Sequence, residues 1–396
     1  MGKVIAHIDL NAFFVRAEEI RDPSLVGKPV AIGHDGRGGI VSTCSYKARE
    51  YGVHSGMPMF QAKQLCPSLI IKPCDFRYYW ALSATFMKFI RRYTKIIEIA
   101  SVDECFADFT DKVKNVKDVP AFFKKLQNDL YLSTNLMCSI GVASSKFLAK
   151  MGSDYKKPMG LTIIRKKDIP AILYPLSIDK MFGIGKKTAP RLKEMGVQTI
   201  GDLAHLCNSN DPKCQELLGK FFYVVKDWLN GNGSDEVITE REDPKSIGNS
   251  STFMHDTQSI EEIKEMFENL SKEVSTRAIK ESKMGTTVQI VVKETDFKIH
   301  NKSITFETPT NDWKVILNHA LDLYTKNFLV LTVRLVGVTL QNLISPKDMA
   351  IQMSFFDYEK HEEESATKLL INELNRKLDK PSLMRASEVN KNDGNK

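Results

Sequence analysis

The chain has 396 residues, 42% hydrophobic and 27% charged, a balance ordinary for globular proteins that excludes wholesale disorder and a collagen-like fibre and predicts two to three domains. Its net charge of +7 is uneven: residues 1–232 carry 34 basic and 22 acidic side chains, residues 233–396 carry 22 and 27, which points to a polyanionic partner for the first part, with a solvated basic surface as the plain alternative. No apolar run approaches the roughly 18 residues of a membrane-spanning helix, the N-terminus turns polar too soon for a signal peptide, and seven scattered cysteines without a C-x-x-C pair predict no disulfide framework or zinc site, which suits a reducing cytoplasm.

Val4-Ile5-Ala6-His7-Ile8-Asp9 is short, apolar and rich in β-branched residues, which predicts a buried strand. A helix follows through Phe13, Phe14, Ala17 and Ile20 and stops at Asp22-Pro23. Residues 39–43 read as a strand leading to Ser45, the N-cap of a short helix that ends before Gly52. Helical spacing of Leu82, Phe86, Phe89, Ile90 and Tyr93 places a helix over 76–95. Residues 96–100 and 105–109 then form a β-hairpin around a tight acidic connection. Pro120 opens a helix running to about Leu132, residues 138–143 read as a strand, Ser144-Ser145 cap a helix reaching Met151, and residues 160–164 close the set as another strand. That order is an α+β arrangement of the split βαβ kind. Residues 166–230 turn mostly helical, and 230–244 read as a polar, Gly-rich, acidic linker. A second α/β unit follows, with a helix over 260–279 and strands over 287–292, 303–306 and 331–340. Beyond Ile344 the sequence becomes a tail with one helix near 366–378.

Asp9 ends the first strand, and Asp103-Glu104 sit at the hairpin turn. If both elements share one sheet, three carboxylates converge at its edge, where they repel one another unless a cation is present. Oxygen ligands alone select a hard divalent ion, Mg²⁺ or Mn²⁺. Two such ions about 4 Å apart are the usual device for in-line phosphoryl transfer. Acidic residues at turns are also ordinary solvent-facing punctuation. Adjacent residues of a regular strand point to opposite faces, so Glu104 joins Asp103 only if the turn breaks the pleat.

Tyr46 and Arg49 lie three apart on one face of the first turn of the short helix, where a hydroxyl and a guanidinium suit a triphosphate. In Lys156-Lys157-Pro158-Met159-Gly160, proline and glycine fix a loop that could aim Lys157 at the same phosphates. Taken singly, each pattern also fits plain surface. Residues 181–188, MFGIGKKT, resemble a helix–hairpin–helix: Gly183 and Gly185 let backbone N–H groups reach a DNA phosphate, and Lys186 and Lys187 add charge. Lys187 in the Ser/Thr place excludes a Walker A loop. On the tail, Gln352-Met353-Ser354-Phe355-Phe356 is a candidate peptide ligand for another protein's groove.

Together, residues 4–14, Tyr46-Lys47-Ala48-Arg49 and Ser101-Val102-Asp103-Glu104 resemble a Y-family DNA polymerase of the bacterial DNA polymerase IV (DinB) type, in the family's order and over about residues 1–358. The resemblance implies an α+β, multidomain chain: a split-βαβ palm at 1–10 and 75–165, fingers at 11–74, a helix–hairpin–helix thumb at 166–232, a linker at 233–243, an α/β little finger at 244–345 and a tail at 346–396. It implies that Asp9 and Asp103 bind two Mg²⁺ ions, with Mn²⁺ able to substitute, that the Leu10 carbonyl helps and that Glu104 completes the catalytic site. Tyr46, Arg49 and Lys157 would hold the dNTP triphosphate, and Phe14 would be the steric gate against a 2′-hydroxyl. Gln352, Phe355 and Phe356 would meet the DNA sliding clamp. The implied activity is template-directed, low-fidelity translesion synthesis on primer-template DNA, without proofreading, by a cytoplasmic monomer with no membrane partner.

Asn11 stands where many relatives have a second Asp, and residues 243–345 balance 12 basic against 13 acidic side chains. The DNA contact of that region would then rest on Lys283, Lys293, Lys298, Lys302 and Arg334. A nucleotide cyclase on a related palm would explain the carboxylates but not the helix–hairpin–helix. A catalytically dead DNA-binding scaffold predicts loss of an acidic ligand, yet Asp9, Asp103 and Glu104 are all present.

Overall fold

Both faces of the opening apolar run are covered: β1 (Ile5–Leu10) is buried over all six residues. It lies at the centre of a five-stranded sheet in a computed structural model that describes residues 2–240, 242–348 and 374. The chain divides into two units, residues 1–243 and 244–396. In the first unit the further strands among the described residues are β2 (Val30–Gly33), β3 (Val41–Cys44), β4 (Ile70–Lys72), β5 (Ile97–Ile99), β6 (Glu104–Asp108), β7 (Cys138–Ala143) and β8 (Leu161–Ile164).

The main sheet runs β5-β6-β1-β7-β8. β1 is antiparallel to both β6 and β7. β7 and β8 are parallel, which requires a crossover, and the helix Lys146–Tyr155 supplies it. The two-residue period divides β1 between two cores. Ala6, Ile8 and Leu10 belong to the core built with the helices Phe76–Ile90 and Val119–Thr134. Ile5, His7 and Asp9 face the helix Lys146–Tyr155, through Phe147, Ser153 and Lys150. That helix sits close because Gly141 on β7 has no side chain; a Cβ there would lie 1.9 Å from the Ala149 carbonyl oxygen. The expected split βαβ arrangement is therefore present.

A second sheet, β3-β2-β4, pairs β2 parallel to β4. The sequence predicts only β3 there, since β2 and β4 meet across a long connection and each is short. Residues 166–232 are mostly helical, with the helices Ile200–Asn208 and Phe221–Leu229 burying Leu203, Cys207, Phe222 and Val225 in one core. The expected polar linker is tied down over its first half. The Ser234 carbonyl accepts from the Lys146 N–H at 2.8 Å, Glu98 accepts from the Ile238 N–H at 2.8 Å, and Val237 is buried.

The second unit carries β9 (Ser246–Thr257), β10 (Met284–Glu294), β11 (Ile299–Thr310) and β12 (Val333–Ile344) in the order β11-β10-β12-β9. The helices Ile260–Lys280 and Trp313–Asn327 cover one face, against Val288, Ile290, Val292, Val336, Val338 and Leu340. β9 is absent from the sequence reading because only Ile247, Phe253 and Thr257 of its twelve residues are buried, too few for a two-residue period to show. No described helix is long and apolar enough to cross a membrane. Gln352, Phe355 and Phe356 lie outside the described residues, as does all but Leu374 of the helix expected near 366–378.

Candidate active site

Strand register builds the centre of the site. Asp9 on β1 pairs with Glu104 on β6 and with Ser139 on β7. Asp103 precedes β6, in a bend where its carbonyl accepts from the Leu10 N–H at 2.9 Å and its carboxylate accepts from the Ser101 hydroxyl at 2.6 Å. The bend over residues 101–103 thus breaks the pleat just before Glu104. The tightest group of potential ligand atoms among the described residues is His7, Asp9 and Glu104, all within 4.8 Å. Asp103 is turned toward Ser101 and stands outside that group. Burial pushes its carboxyl up, with the charges of Asp9 and Glu104 adding to the shift.

Two lysines occupy the same face. Lys150 Nζ is 2.7 Å from Glu104 Oε2, 3.1 Å from Asp9 Oδ2 and 3.4 Å from Asp154 Oδ2. Lys157 Nζ is 2.8 Å from Asp9 Oδ1 and 2.7 Å from Asp154 Oδ1. Burial alone would lower both ammonium groups, yet the carboxylates of Asp9 and Asp154 reverse that and raise them. His7 Nδ1 is 2.8 Å from Ser153 Oγ, whose own proton goes to the Lys150 carbonyl. Nε2 faces Glu104 Oε2 at 3.4 Å. The His7 ring and the Lys150 ammonium hold the Glu104 carboxyl far below its usual range. Three carboxylates (Asp9, Glu104 and Asp154) thus share two ammonium groups, and Asp103 adds a fourth beside Asp9 and Glu104. Negative charge in excess, carried mainly on oxygen donors, fits a hard divalent cation.

The residues expected at the triphosphate meet beside Asp9. Ser45 caps the helix Tyr46–Glu50 by accepting from the Ala48 N–H at 3.1 Å. The Arg49 guanidinium then lies 4.8 Å from the Tyr46 ring centroid. Burial raises the Tyr46 hydroxyl, with Arg49, Lys157 and Asp9 all close enough to act on it. Phe13 is 3% exposed and belongs to the core, whereas Phe14 is half-buried and stacks on Tyr79 at 4.4 Å. Glu18 holds Tyr79 in turn, accepting from its hydroxyl at 2.9 Å.

In the helix–hairpin–helix segment Gly183 has φ +90°, and a Cβ there would lie 2.7 Å from the Phe221 ring. Lys186 and Lys187 are exposed at the start of the helix Thr188–Glu194. The basic residues expected to grip DNA in the second unit differ among themselves. Lys298 and Lys302 are exposed. Lys283 is buried, and Arg334 is 3.5 Å from Asp256 and stacked over Phe297. Sequence reasoning missed His7, Ser139, Lys150 and Asp154. Of these His7 carried a signal, standing two residues before Asp9 on the same strand face.

Comparison with known proteins places this arrangement. The impB/mucB/samB family matches residues 8–154, its C-terminal domain matches 244–355, and its HHH motif matches 166–197. DNA polymerase IV of Bacillus velezensis is 38% identical over 399 residues, covering 98% of this chain and 94% of the relative. DNA polymerase IV 1 of Bacillus subtilis is 37% identical over 379 residues, covering 95% and 91%. Among solved structures, the Y-family DNA polymerase chimera Dbh-Dpo4(243-245)-Dbh aligns with a TM-score of 0.76 at 28% identity, over 86% of this chain and 99% of its own. The insertion ternary complex of Dbh DNA polymerase aligns over the same shares with a TM-score of 0.61. With three family patterns in order and full-length relatives above one-third identity, this chain belongs to the impB/mucB/samB family of Y-family DNA polymerases.

Proposed function

We propose that this polymerase adds nucleotides to a primer 3′ end at the face formed by Asp9, Asp103 and Glu104, with residues 1–10 and 75–165 as palm, 11–74 as fingers, 166–232 as thumb and 244–345 as little finger. The observation that carries the reading is the pairing of Asp9 with Glu104 across β1 and β6, with Tyr46, Arg49 and Lys157 gathered at its edge. The donor set fits a pair of Mg²⁺ ions held by Asp9, Asp103, Glu104 and the Leu10 carbonyl, with Mn²⁺ able to substitute. When bound, such ions supply Lewis acidity that lowers the primer hydroxyl's pKa and neutralises the departing pyrophosphate.

The side chains of this chain do the positioning. Tyr46 and Arg49 bind the triphosphate by a hydroxyl and a charged fork. Lys157 exchanges its contact with Asp9 for a phosphate oxygen as the nucleotide enters. The Phe14 ring, backed by Tyr79, excludes a 2′-hydroxyl by steric overlap. The exposed Lys186 and Lys187, with the backbone at Gly183 and Gly185, contact DNA phosphates. The family membership supports lesion bypass as the physiological task. The likeness to a polymerase solved as an insertion ternary complex supports binding of primer-template DNA and a dNTP. The pattern at Gln352, Phe355 and Phe356 supports a sliding-clamp contact by a monomer in the cytoplasm.

Templated primer extension with Mg²⁺ tests the reading. Extension that needs both template and divalent ion supports it. A nucleotide cyclised without primer, or DNA bound without extension, would overturn it in favour of a cyclase or a scaffold. Deleting residues 352–356 should leave extension of short primers intact and abolish stimulation by a loaded clamp.

A further inference from the structure

Asn11 is 1% exposed and lies just past the end of β1, with its backbone N–H donated to the Met137 carbonyl at 2.7 Å. Its side chain joins three segments. Oδ1 accepts from the Met159 backbone N–H at 2.8 Å, and Nδ2 donates to Ser139 Oγ at 2.9 Å. The Tyr46 hydroxyl lies close enough for the same side chain to act on it. A backbone N–H can only donate, so the amide oxygen must be the atom facing Met159, which leaves the NH₂ for the hydroxyl side.

Met159 is the residue that needs holding. Its φ is +57°, a left-handed conformation that strains a non-glycine residue and persists only where neighbours enforce it. Asn11 on one side of Met159 and the Gly160 carbonyl, which accepts from the Ile140 N–H at 2.8 Å, on the other fix this loop. Lys157, two residues earlier in the loop, sets its ammonium 2.8 Å from Asp9. We propose that Asn11 is a positioning residue for the incoming nucleotide: it fixes the Lys157 loop and the Tyr46 hydroxyl relative to Asp9, and it acts through those two groups without touching the substrate. The inference rests on the assignment of Tyr46 and Lys157 to the triphosphate. An aspartate would keep the acceptor for Met159 but has no N–H, and an alanine keeps neither.

The test is single-nucleotide insertion kinetics on primer-template DNA with Mg²⁺, for the wild type, Asn11→Ala, Asn11→Asp, Lys157→Ala, Tyr46→Phe and the doubles. Asn11→Ala should raise KM for dNTP on the order of tenfold, with kcat changed far less and DNA affinity unchanged. Asn11→Asp should raise KM a few-fold, and it carries the test if the alanine variant does not fold. Groups acting as one unit are non-additive, so adding Asn11→Ala to Lys157→Ala should give much less than the product of the two effects. Adding Asn11→Asp to Tyr46→Phe should likewise give less than the product. A folded Asn11 variant with wild-type KM, or full multiplication of both pairs, overturns the proposal. Wild-type protein that fails to extend primers sinks the proposed function and this inference with it. Lys157→Ala and Tyr46→Phe variants with wild-type KM would sink the triphosphate assignment while leaving the polymerase reading intact.

Discussion

In the sheet around β1, Ala6, Ile8 and Leu10 face one apolar core, while His7 and Asp9 face a helix that carries Lys150 and Ser153. In the sheet β11-β10-β12-β9, helices cover Val288, Ile290 and Val292, and the opposite face carries Gln289 between Ser303 and Thr339, with Thr287 beside Thr305. One sheet encloses its charged groups, and the other carries amides and hydroxyls on the face away from its helices. Chemistry on a phosphoryl group needs carboxylates held in a fixed, poorly hydrated geometry, so both faces must be packed. Contact with a uniform phosphate backbone needs only rigid, shallow donors, which one covered face is enough to support.

Four tests break or sharpen this contrast. The largest effect belongs to the enclosed face: Asp103→Asn should slow insertion about a thousandfold or more, roughly 4 kcal/mol of transition-state stabilisation, with DNA binding retained. Single-turnover insertion beside a binding titration checks it, and a near wild-type rate would remove Asp103 from the metal set.

Next come the paired rings at the exit of β1. Phe13→Ala, in the core, should cost about 3 kcal/mol or more in equilibrium unfolding. Phe14→Ala should cost less and instead admit ribonucleotides, read as the ratio of dNTP to rNTP incorporation. An unchanged ratio, or a collapse caused by Phe13→Ala, would relocate the gate.

The close approach of helix and sheet gives a third test. Gly141→Ala places a methyl 1.9 Å from a backbone carbonyl and should destabilise by about 2–3 kcal/mol. Gly337→Ala in the second unit meets the Ser250 Cβ at 2.9 Å and the Asn249 carbonyl oxygen at 3.2 Å, a smaller overlap than at Gly141, so its cost should be nearer about 1 kcal/mol. Equal denaturation midpoints for the two variants would contradict the difference between enclosed and open faces.

The smallest effect on stability comes from Gln289→Glu with Ser303→Glu. Unfolding should shift by less than about 1 kcal/mol, the cost of two glutamates set opposite each other across the strands. DNA affinity should fall several-fold at low salt, and the deficit should shrink as salt rises, because the added charges repel phosphate through a screened interaction. Unchanged affinity at low salt would mean that the open face does not meet DNA.

Much of the first unit could be read directly. Residues 138–143 are a strand over that whole span, and the helix stop at Asp22-Pro23 is where the chain turns. These features are local: short β-branched runs, N-caps, and a proline that cannot continue a helix. β9 could not be read, because a strand with one bare face and Ser, Asn and Thr along it looks like a loop.

What the sequence determined by itself about the site was which residue types are present and in what order: Asp9, the Asp103-Glu104 pair, Tyr46 with Arg49, and the Lys157 loop. Their meeting was decided by the tertiary structure. Strand register set Asp9 beside Glu104 and Ser139, and the bend at residues 101–103 let Asp103 and Glu104 approach the same neighbour. Lys150 reaches Asp9 across 141 residues only because a glycine on β7 lets its helix settle onto the sheet. Asn11 is the clearest instance: by position it is an unremarkable polar residue after a strand. In the fold its amide joins Ser139 on β7 to Met159 in the Lys157 loop, since hydrogen bonds between distant segments depend on register and packing, which no local pattern encodes.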